Sequence, residues 1–287
     1  MVVHHRWDLD RSYLETDIHS WTGLVRAAFE PPSHKVAVPG ATALVRGALR
    51  TPDSRLTVIS GSPRQMAQAI RARFALDGVS IHRLALKDNL ANLARRRWSA
   101  LRDQAGHKLP TLLEALADGP DGDEFWFGDD AEVDAAVYAI AAAARRGEVS
   151  PEWVERTLTA AGAYPDEAAR GRAAAERLDA CERAIVAFIL LDRATPDDAF
   201  AGLSPARPVL SWIEAADAMF RADHLSRDDL VEVIRQVRNR RGDAAAESSL
   251  RRAEEAVGRS LPPFDPERAA HVLTRGLLGR ARTRRAR

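Results

Sequence analysis

The first half of the chain alternates short apolar runs with helical patterns, and this alternation constrains the fold most. Four runs have the length and composition of buried strands, at residues 2–9, 56–59, 80–86 and 125–127. Apolar residues at helical spacing fill the stretches around them, at about 19–29, 41–49, 62–74, 90–101, 106–116 and 132–146. Strands that alternate with helices predict right-handed βαβ crossovers and a parallel sheet.

The second half carries helix signals only. Capping residues followed by proline or by an acid begin helices at Ser150-Pro151, Thr195-Pro196, Ser226 and Asp265-Pro266. Apolar residues at 178, 185 and 189 fit a helical stripe as well. We therefore expect an α/β domain over residues 1–148, followed by an all-α region over residues 149–287 with a basic tail and no large inserted cap.

The numbers of acidic and basic residues are nearly equal, so the net charge produces no strong electrostatic field around the protein. The formal net charge of the 287 residues is +1, so nothing in the overall charge favours nucleic acid or a membrane surface as a partner. Clusters of arginine remain at 95–97 and 280–287, and we expect solvated surfaces there, with contact to anionic lipid as the alternative. Lysine is scarce, and Lys35, Lys87 and Lys108 are the only candidates for a catalytic lysine.

The sequence also predicts a compartment. Cys181 is the only cysteine, so no internal disulfide can form, and its apolar surroundings favour a buried filler role. No signal-peptide pattern follows Met1, and the longest apolar run, 184–191, is far shorter than the ~20 residues of a membrane-spanning helix. We expect a soluble, cytoplasmic protein.

Polar residues lie where three of the apolar runs end. Asp8 and Asp10 lie at the end of the first run, Ser60 follows the second, and Asp129 and Asp130 follow the run at 125–127. Because ligands of open parallel sheets bind outside the carboxyl ends of the strands, these side chains are expected to meet at one edge. Each could alone be a turn residue, since Asp and Ser are common where strands end.

Four motifs occur in a fixed order: Asp8-Leu9-Asp10-Arg11-Ser12, Val58-Ile59-Ser60-Gly61-Ser62-Pro63, His107-Lys108, and Gly128-Asp129-Asp130-Ala131-Glu132-Val133-Asp134. In order and context they resemble the haloacid dehalogenase superfamily of phosphotransferases. More narrowly, they are similar to the catalytic domain of the actin-patch-protein phosphatidate phosphatase family. The resemblance covers about the first half of the chain. It departs at Arg11, where the family usually repeats an acid, and at Ser12, which replaces the usual Thr.

The resemblance implies roles for the first three motifs. Asp8 would be the nucleophile that forms an aspartyl-phosphate, and Asp10 would protonate the leaving oxygen and then deprotonate the attacking water. Ser60 and the backbone N–H of Gly61 would hold a phosphoryl oxygen at a helix start. Lys108 would offset negative charge, with Lys87 as the rival for that role.

The fourth motif would supply the metal site. The resemblance implies that Asp129 binds Mg²⁺ together with Asp8 and the backbone carbonyl of Asp10, supported by Asp130 or Asp134. For Asp130 and Asp134 the alternative is a stabilising acid at a helix N-terminus. No histidine shows metal-ligand spacing, so zinc is not expected.

Together these features predict an Mg²⁺-dependent phosphatase that hydrolyses a phosphomonoester, with a phosphatidate-type lipid phosphate as one candidate substrate. The alternatives are a binding or scaffold protein with weak or no turnover, for which Arg11 is the only sequence support, and a nucleic-acid end phosphatase. A kinase of the P-loop type is not indicated, because the chain has no G-x-x-x-x-G-K-[ST] loop.

Overall fold

The computed structural model describes residues 2–15, 34–88, 104–180 and 183–277. Several sequence predictions lie outside the described residues. These are the helices near 19–29 and 90–101 with the arginine run at 95–97, the buried role of Cys181, and the basic tail from residue 280.

The described residues form an α/β fold around one parallel sheet. Its six strands lie in the order β3-β2-β1-β4-β5-β6, and all neighbouring pairs are parallel. The strands are β1 (Val2–Trp7), β2 (Ser54–Pro63), β3 (Arg83–Lys87), β4 (Gly122–Asp129), β5 (Ile185–Leu190) and β6 (Ala206–Val209). The predicted parallel sheet and its first four strands are confirmed.

The prediction of an all-α second half is wrong, because β5 continues the sheet beyond residue 148. The spacing of Ile185 and Ile189 suggested a helix, but residues four apart also share one face of a strand. Ala187 and Ile189 pack into one core, and Phe188 and Leu190 pack into the other. A short apolar run buried on both sides carries no periodicity that separates strand from helix.

Strand β6 gave no strand signal at all. It contains Arg207 and Pro208, and it lies at the outer edge of the sheet. Proline is tolerated on an edge strand because the strand pairs with one neighbour only, and the missing N–H can face the unpaired side.

Ten helices occur in the described residues. They are α1 (Ala41–Ala48), α2 (Ala67–Leu76), α3 (Ala105–Asp118), α4 (Asp134–Arg145), α5 (Pro151–Ala160), α6 (Pro165–Glu176), α7 (Trp212–Arg221), α8 (Arg227–Arg241), α9 (Asp243–Glu255) and α10 (Pro266–Arg275). None of the helices in these described ranges is both long and apolar enough to cross a membrane.

Three predicted helix starts are confirmed by their caps. The side chains of Ser150, Ser226 and Asp265 accept hydrogen bonds from backbone N–H groups in the first turns of α5, α8 and α10. The start at Thr195-Pro196 produces only the 3₁₀ turn Asp197–Phe200.

The predicted helix start at Ser62 is wrong. Strand β2 runs on to Pro63, and the 3₁₀ turn Arg64–Met66 precedes α2. The register of β2 against β3 shifts between Ser60 and Pro63, so an irregularity in the strand occupies the place of the expected cap.

The helices cover both faces of the sheet. One core packs α3, α4, α5, α6 and α10 against it, and the other packs α1, α2, α7 and α8. From β1 the chain adds β2 and β3 on one side and then β4, β5 and β6 on the other. The strand order therefore reverses between β1 and β4, and the crevice at such a reversal is where open α/β sheets bind ligands.

Candidate active site

Asp8 and Asp129 flank this reversal point. Asp8 follows β1 directly, and its backbone N–H donates to the carbonyl oxygen of Phe127 at 2.8 Å. Asp129 is the last residue of β4. The sheet thus delivers the two carboxylates to adjacent strand ends, as the sequence predicted.

A third carboxylate joins them from the first residue of α4. Asp8, Asp129 and Asp134, which we call the acid cluster, are buried, and one oxygen from each lies within 4.8 Å of the others. Gly128 makes the approach of Asp134 possible, because a Cβ there would lie 2.7 Å from the Asp134 Cβ. The Asp129 N–H also donates to Asp134 Oδ2 at 3.3 Å.

Lys108 supplies the cation of the acid cluster. Its Nζ lies 2.7 Å from Asp8 Oδ1, 2.5 Å from Asp134 Oδ1 and 2.8 Å from Glu132 Oε2. Burial opposes the charged form, but the carboxylates of Asp134, Asp8 and Glu132 outweigh it and hold the pKa of Lys108 well above its usual value. Lys108 is therefore charged at neutral pH.

The carboxylates themselves are strained electrostatically. Burial raises the pKa of Asp8 and of Asp129 well above the usual aspartate value, and the neighbouring acids raise both pKa values further, against the opposing charge of Lys108. Burial likewise raises the pKa of Asp134. Like charges this close favour either a bound proton or a bound cation.

Two oxygens of the acid cluster are available to such a cation. Asp8 Oδ2 and Asp129 Oδ2 are buried and have no hydrogen-bond partner in the part of the chain that the structure describes. Unpaired buried carboxylate oxygens are rare because they have lost hydration without compensation. Hard oxygen donors of this kind suit Mg²⁺, so the residues present fit the metal that the resemblance implies.

Asp10 lies in the turn after β1 and contacts the end of β2. Arg11 adopts a left-handed φ of 66°, and its N–H donates to the Leu14 carbonyl, which closes a tight turn. Asp10 Oδ2 accepts hydrogen bonds from Ser60 Oγ at 3.2 Å and from Ser62 Oγ at 3.0 Å. The two hydroxyls therefore orient the Asp10 carboxyl group.

Ser60, which donates to Asp10, and its neighbour Gly61 lie in a different local setting from the one predicted. Ser60 is buried in β2, and its carbonyl accepts from Nε2 of His107, whose pKa burial lowers to about 3. At Gly61 a Cβ would lie 2.7 Å from the Gln104 side chain. Their N–H groups are thus presented by an irregular strand and not by a helix N-terminus.

Asp130 and Arg11 turn away from the acid cluster. Asp130 accepts backbone hydrogen bonds from Arg193 at 2.8 Å and Thr195 at 3.0 Å, and so holds the loop that follows β5. The Arg11 guanidinium pairs with Asp192 of that loop at 2.6 Å. Of the two residues offered as support for the metal, Asp134 lies in the acid cluster and Asp130 anchors a neighbouring loop.

Lys87, the rival lysine, is buried at the end of β3, and its charge acts on His107. The lysine that pairs with Asp8 and Asp134 of the acid cluster is Lys108. The predicted preference for Lys108 fits this geometry.

Sequence reasoning did not single out three residues of the site. Glu132 pairs with Lys108 and accepts a hydrogen bond from Gln104, which also covers Gly61. Ser62 was interpreted as a helix cap. Glu132 could have been predicted, because it lies among the acids of the fourth motif. Gln104 lies in none of the four motifs, so the sequence did not indicate a role for it.

The chain matches no protein-family model, no curated protein and no solved structure at a significant level.

Proposed function

We propose that this protein is an Mg²⁺-dependent phosphatase that hydrolyses a phosphomonoester through an aspartyl-phosphate on Asp8. The observation that carries the proposal is the meeting of Asp8, Asp129 and Asp134 with Lys108 at the reversal point of a parallel sheet. The motif resemblance assigns the same residues to phosphoryl transfer.

The position of the acids argues against a dinucleotide site. In nucleotide-binding sheets of this strand order, a glycine-rich turn after the first strand receives the pyrophosphate. Here Asp8 and Asp10 occupy that turn, and two carboxylates repel a phosphate unless a cation lies between them. A site that combines buried acids with one ammonium suits phosphoryl transfer assisted by a divalent cation.

In the proposed first step, a carboxylate oxygen of Asp8 forms a bond to phosphorus and the bond from phosphorus to the ester oxygen breaks. Asp10, in its protonated form, gives its proton to the leaving alkoxide oxygen. The Ser60 and Ser62 hydroxyls hold the Asp10 carboxyl group in place for this transfer. Lys108 stabilises the charge that develops beside Asp8.

In the second step, Asp10 accepts a proton from water as the water oxygen attacks phosphorus, and the bond to Asp8 breaks. Inorganic phosphate leaves and both carboxyl groups return to their starting forms. Asp8, Asp129 and Asp134 would hold Mg²⁺, with the Asp10 carbonyl as the further ligand that the resemblance implies. The ion would neutralise phosphoryl oxygens and carboxylates.

A scaffold protein with weak or no turnover is still the alternative. Its sequence support is Arg11 in the first motif, and the Arg11 guanidinium pairs with Asp192 of the loop after β5. A lipid phosphate remains a candidate substrate within the proposal, as do other phosphomonoesters, and cytoplasmic location remains an expectation.

Hydrolysis of p-nitrophenyl phosphate with and without Mg²⁺ tests the proposal. Asp8→Asn should reduce kcat by about 10³-fold or more because the nucleophile is lost, and EDTA should abolish turnover. Asp223→Asn is the matched control, since Asp223 is exposed and its φ of 58° suits asparagine. Full activity of Asp8→Asn would overturn the covalent mechanism.

A substrate panel separates the candidate substrates. Phosphatidate in mixed micelles, sugar phosphates, nucleotides, phosphopeptides and DNA with a terminal phosphate can be compared by kcat/KM. Preference for the DNA end would favour the nucleic-acid alternative. No turnover of any of them, with Mg²⁺ bound, would favour the scaffold hypothesis.

A further inference from the structure

A cavity lies against β6, the edge strand farthest from β3 in the sheet. Its volume is about 780 Å³, and its walls come from β6, α7, α9 and residues 256–262. No residue of the acid cluster lines it, nor do Asp10, Ser60 and Lys108. We call it the β6 cavity. Its volume lies in the ~300–1,000 Å³ range of pockets that take small organic ligands.

Part of the wall of the β6 cavity is apolar. Phe188, Phe200 and Val209 are buried core residues that also line it. Val257 lines the outer wall and is 54% exposed. Apolar surface of this kind in contact with water favours a ligand that carries an apolar body.

Several charges in the β6 cavity are already paired. Arg252 lies 2.7 Å from Asp197 and 3.1 Å from Glu214, and Arg221 lies 2.7 Å from Asp217. Within these ion pairs the opposite charges neutralise each other, so an external ion would add little stabilisation there.

Arg207 is different. Its Nε is buried without a hydrogen-bond partner, and its guanidinium makes no ion pair with any described residue. Burial alone lowers the pKa of Arg207, as expected for a cation that has lost water without gaining a counter-ion. Arg207 as a whole is half-buried, but a buried guanidinium nitrogen is normally hydrogen-bonded, so the unpaired Nε points to an anionic acceptor.

The formal charges of the lining cancel, because five arginines face five acids. Arg251 and Arg259 line the β6 cavity without ion pairs among the described residues, as do the acids Asp198 and Glu255. Among the lining residues that the structure describes, only Arg207 has a buried side-chain nitrogen without a hydrogen-bond partner, so the preference for an anion rests on Arg207.

The edge strand is closed to an added peptide strand, which leaves a compact ligand as the occupant. Pro208 has no N–H, and its carbonyl accepts from Arg252 at 3.0 Å. The Ala206 N–H donates to the Leu203 carbonyl at 2.8 Å. A peptide that joined the sheet here would find these ladder groups used.

We propose that the β6 cavity binds a small organic anion with an apolar body, whose carboxylate or phosphate group accepts a hydrogen bond from Arg207. The apolar body packs against Val257, Phe188 and Phe200. This site is independent of the acid cluster, so the proposal stands or falls apart from the phosphatase activity.

Isothermal titration calorimetry on the full chain with octanoate, octyl phosphate, octanol and octylammonium tests it. We expect octanoate or octyl phosphate to bind with one site per chain, and the tighter of the two identifies the head group. Octanol and octylammonium should bind at least tenfold more weakly. Acetate and inorganic phosphate should bind more weakly too, because they lack the apolar body.

Variants place the ligand in the β6 cavity. Arg207→Gln should weaken binding of the better probe by tenfold or more, while Arg71→Gln, an exposed arginine on α2, should leave it unchanged. Val257→Asp adds an anion at an exposed position, so it should weaken binding without disturbing the core. Thermal unfolding of each variant without ligand checks that the fold is kept.

Three results would overturn the proposal. The first is no binding of either anionic probe at millimolar concentration. The second is octanol or octylammonium binding as tightly as the anions. The third is octanoate or octyl phosphate binding that neither Arg207→Gln nor Val257→Asp weakens.

Discussion

Among single residues, the balance of charge in the acid cluster governs stability as well as chemistry. Asp8, Asp129 and Asp134 are buried together, with Lys108 as the cation in contact and Glu132 at its side. The raised pKa values of Asp8 and Asp129 mean that the folded protein keeps protons that the unfolded chain has released. Without a metal, these carboxyl groups therefore oppose folding increasingly as pH rises above their usual values near 3.8.

Mg²⁺ should reverse this dependence. We expect Mg²⁺ to raise Tm, by the equivalent of about 2–3 kcal/mol at a hundredfold excess over Kd, and to raise it more at pH 7 than at pH 5 because the ion needs ionised ligands. In EDTA, Asp129→Asn should show a weaker fall of Tm with rising pH than the unmodified protein. Calorimetry at several pH values measures both effects. An equal Mg²⁺-induced rise in Asp129→Asn would show that Asp129 is not a ligand.

The two candidate lysines can be separated by paired substitutions. Lys108→Met leaves the acid cluster without its ammonium, so we expect a loss of about 3–5 kcal/mol of unfolding free energy in EDTA and a fall in kcat of about 10²-fold or more. Lys87→Met should keep kcat within about tenfold, since the lysine that pairs with Asp8 and Asp134 is Lys108. Denaturant unfolding and steady-state kinetics give the two quantities. The opposite pattern of kcat would assign the catalytic role to Lys87.

Among the elements, close helix contacts tie the two halves of the chain together. Gly47 on α1 faces α8, where a Cβ at residue 47 would lie 2.7 Å from both the Asp229 Cβ and a methyl carbon of Leu225. Arg50 also pairs with Asp229 across this contact at 2.6 Å. The absence of a side chain at residue 47 therefore sets how near α8 can come to the sheet.

Gly47→Ala tests that contact. In a free helix, alanine is favoured over glycine by about 1 kcal/mol. Here we expect a loss of about 1–3 kcal/mol of unfolding free energy, because the added methyl group overpacks the contact. Arg46→Ala, at the exposed neighbouring position of α1, is the control and should change little. A stabilising effect of Gly47→Ala in urea unfolding would mean that α8 can move away freely.

The loop after β5 joins the elements to the site. Asp130 accepts two backbone hydrogen bonds from this loop, and Asp192 pairs with Arg11 beside Asp10. An element that the sequence assigned to a helix therefore forms part of the surroundings of the acid cluster. The predicted domain boundary near residue 148 does not separate the site from the second half.

For the whole molecule, the continuous sheet predicts that the first half will not fold alone. Trp212 of α7 donates from Nε1 to the Ser12 carbonyl at 3.0 Å, and its ring packs 5.1 Å from that of Trp7. Phe127 of β4 packs against Phe188 of β5 at 5.6 Å. Removing these partners would expose buried aromatic surface and turn β4 into an unprotected edge.

A fragment of residues 1–148 should therefore aggregate or unfold without cooperativity, as measured by circular dichroism and size-exclusion chromatography. The full-length chain, measured in the same way, is the control and should unfold in one cooperative transition. A cooperative, monomeric 1–148 fragment would contradict the single sheet as the unit of folding and would restore the predicted two-domain division.

Local patterns determined much of the fold and site in advance. The alternation of apolar runs and helical patterns predicted the parallel sheet, and acids placed at the carboxyl ends of two apolar runs predicted that Asp8 and Asp129 would meet. Both inferences work because a strand's direction and its carboxyl end are local properties. Strand β5 was missed because Ile185 and Ile189 satisfy both periods, and β6 was missed because an edge strand needs little apolar character.

Tertiary structure alone decided the rest. It brought Asp134 into the acid cluster and left Asp130 to hold a loop, although both stand in the same motif. It paired Arg11 with Asp192 and left Arg207, beside the β6 cavity, without an ion pair to any described residue. These outcomes depend on which distant segments become neighbours in the fold. The burial of a side chain and its distance from other charges follow from that packing, so a local stretch of sequence does not encode them.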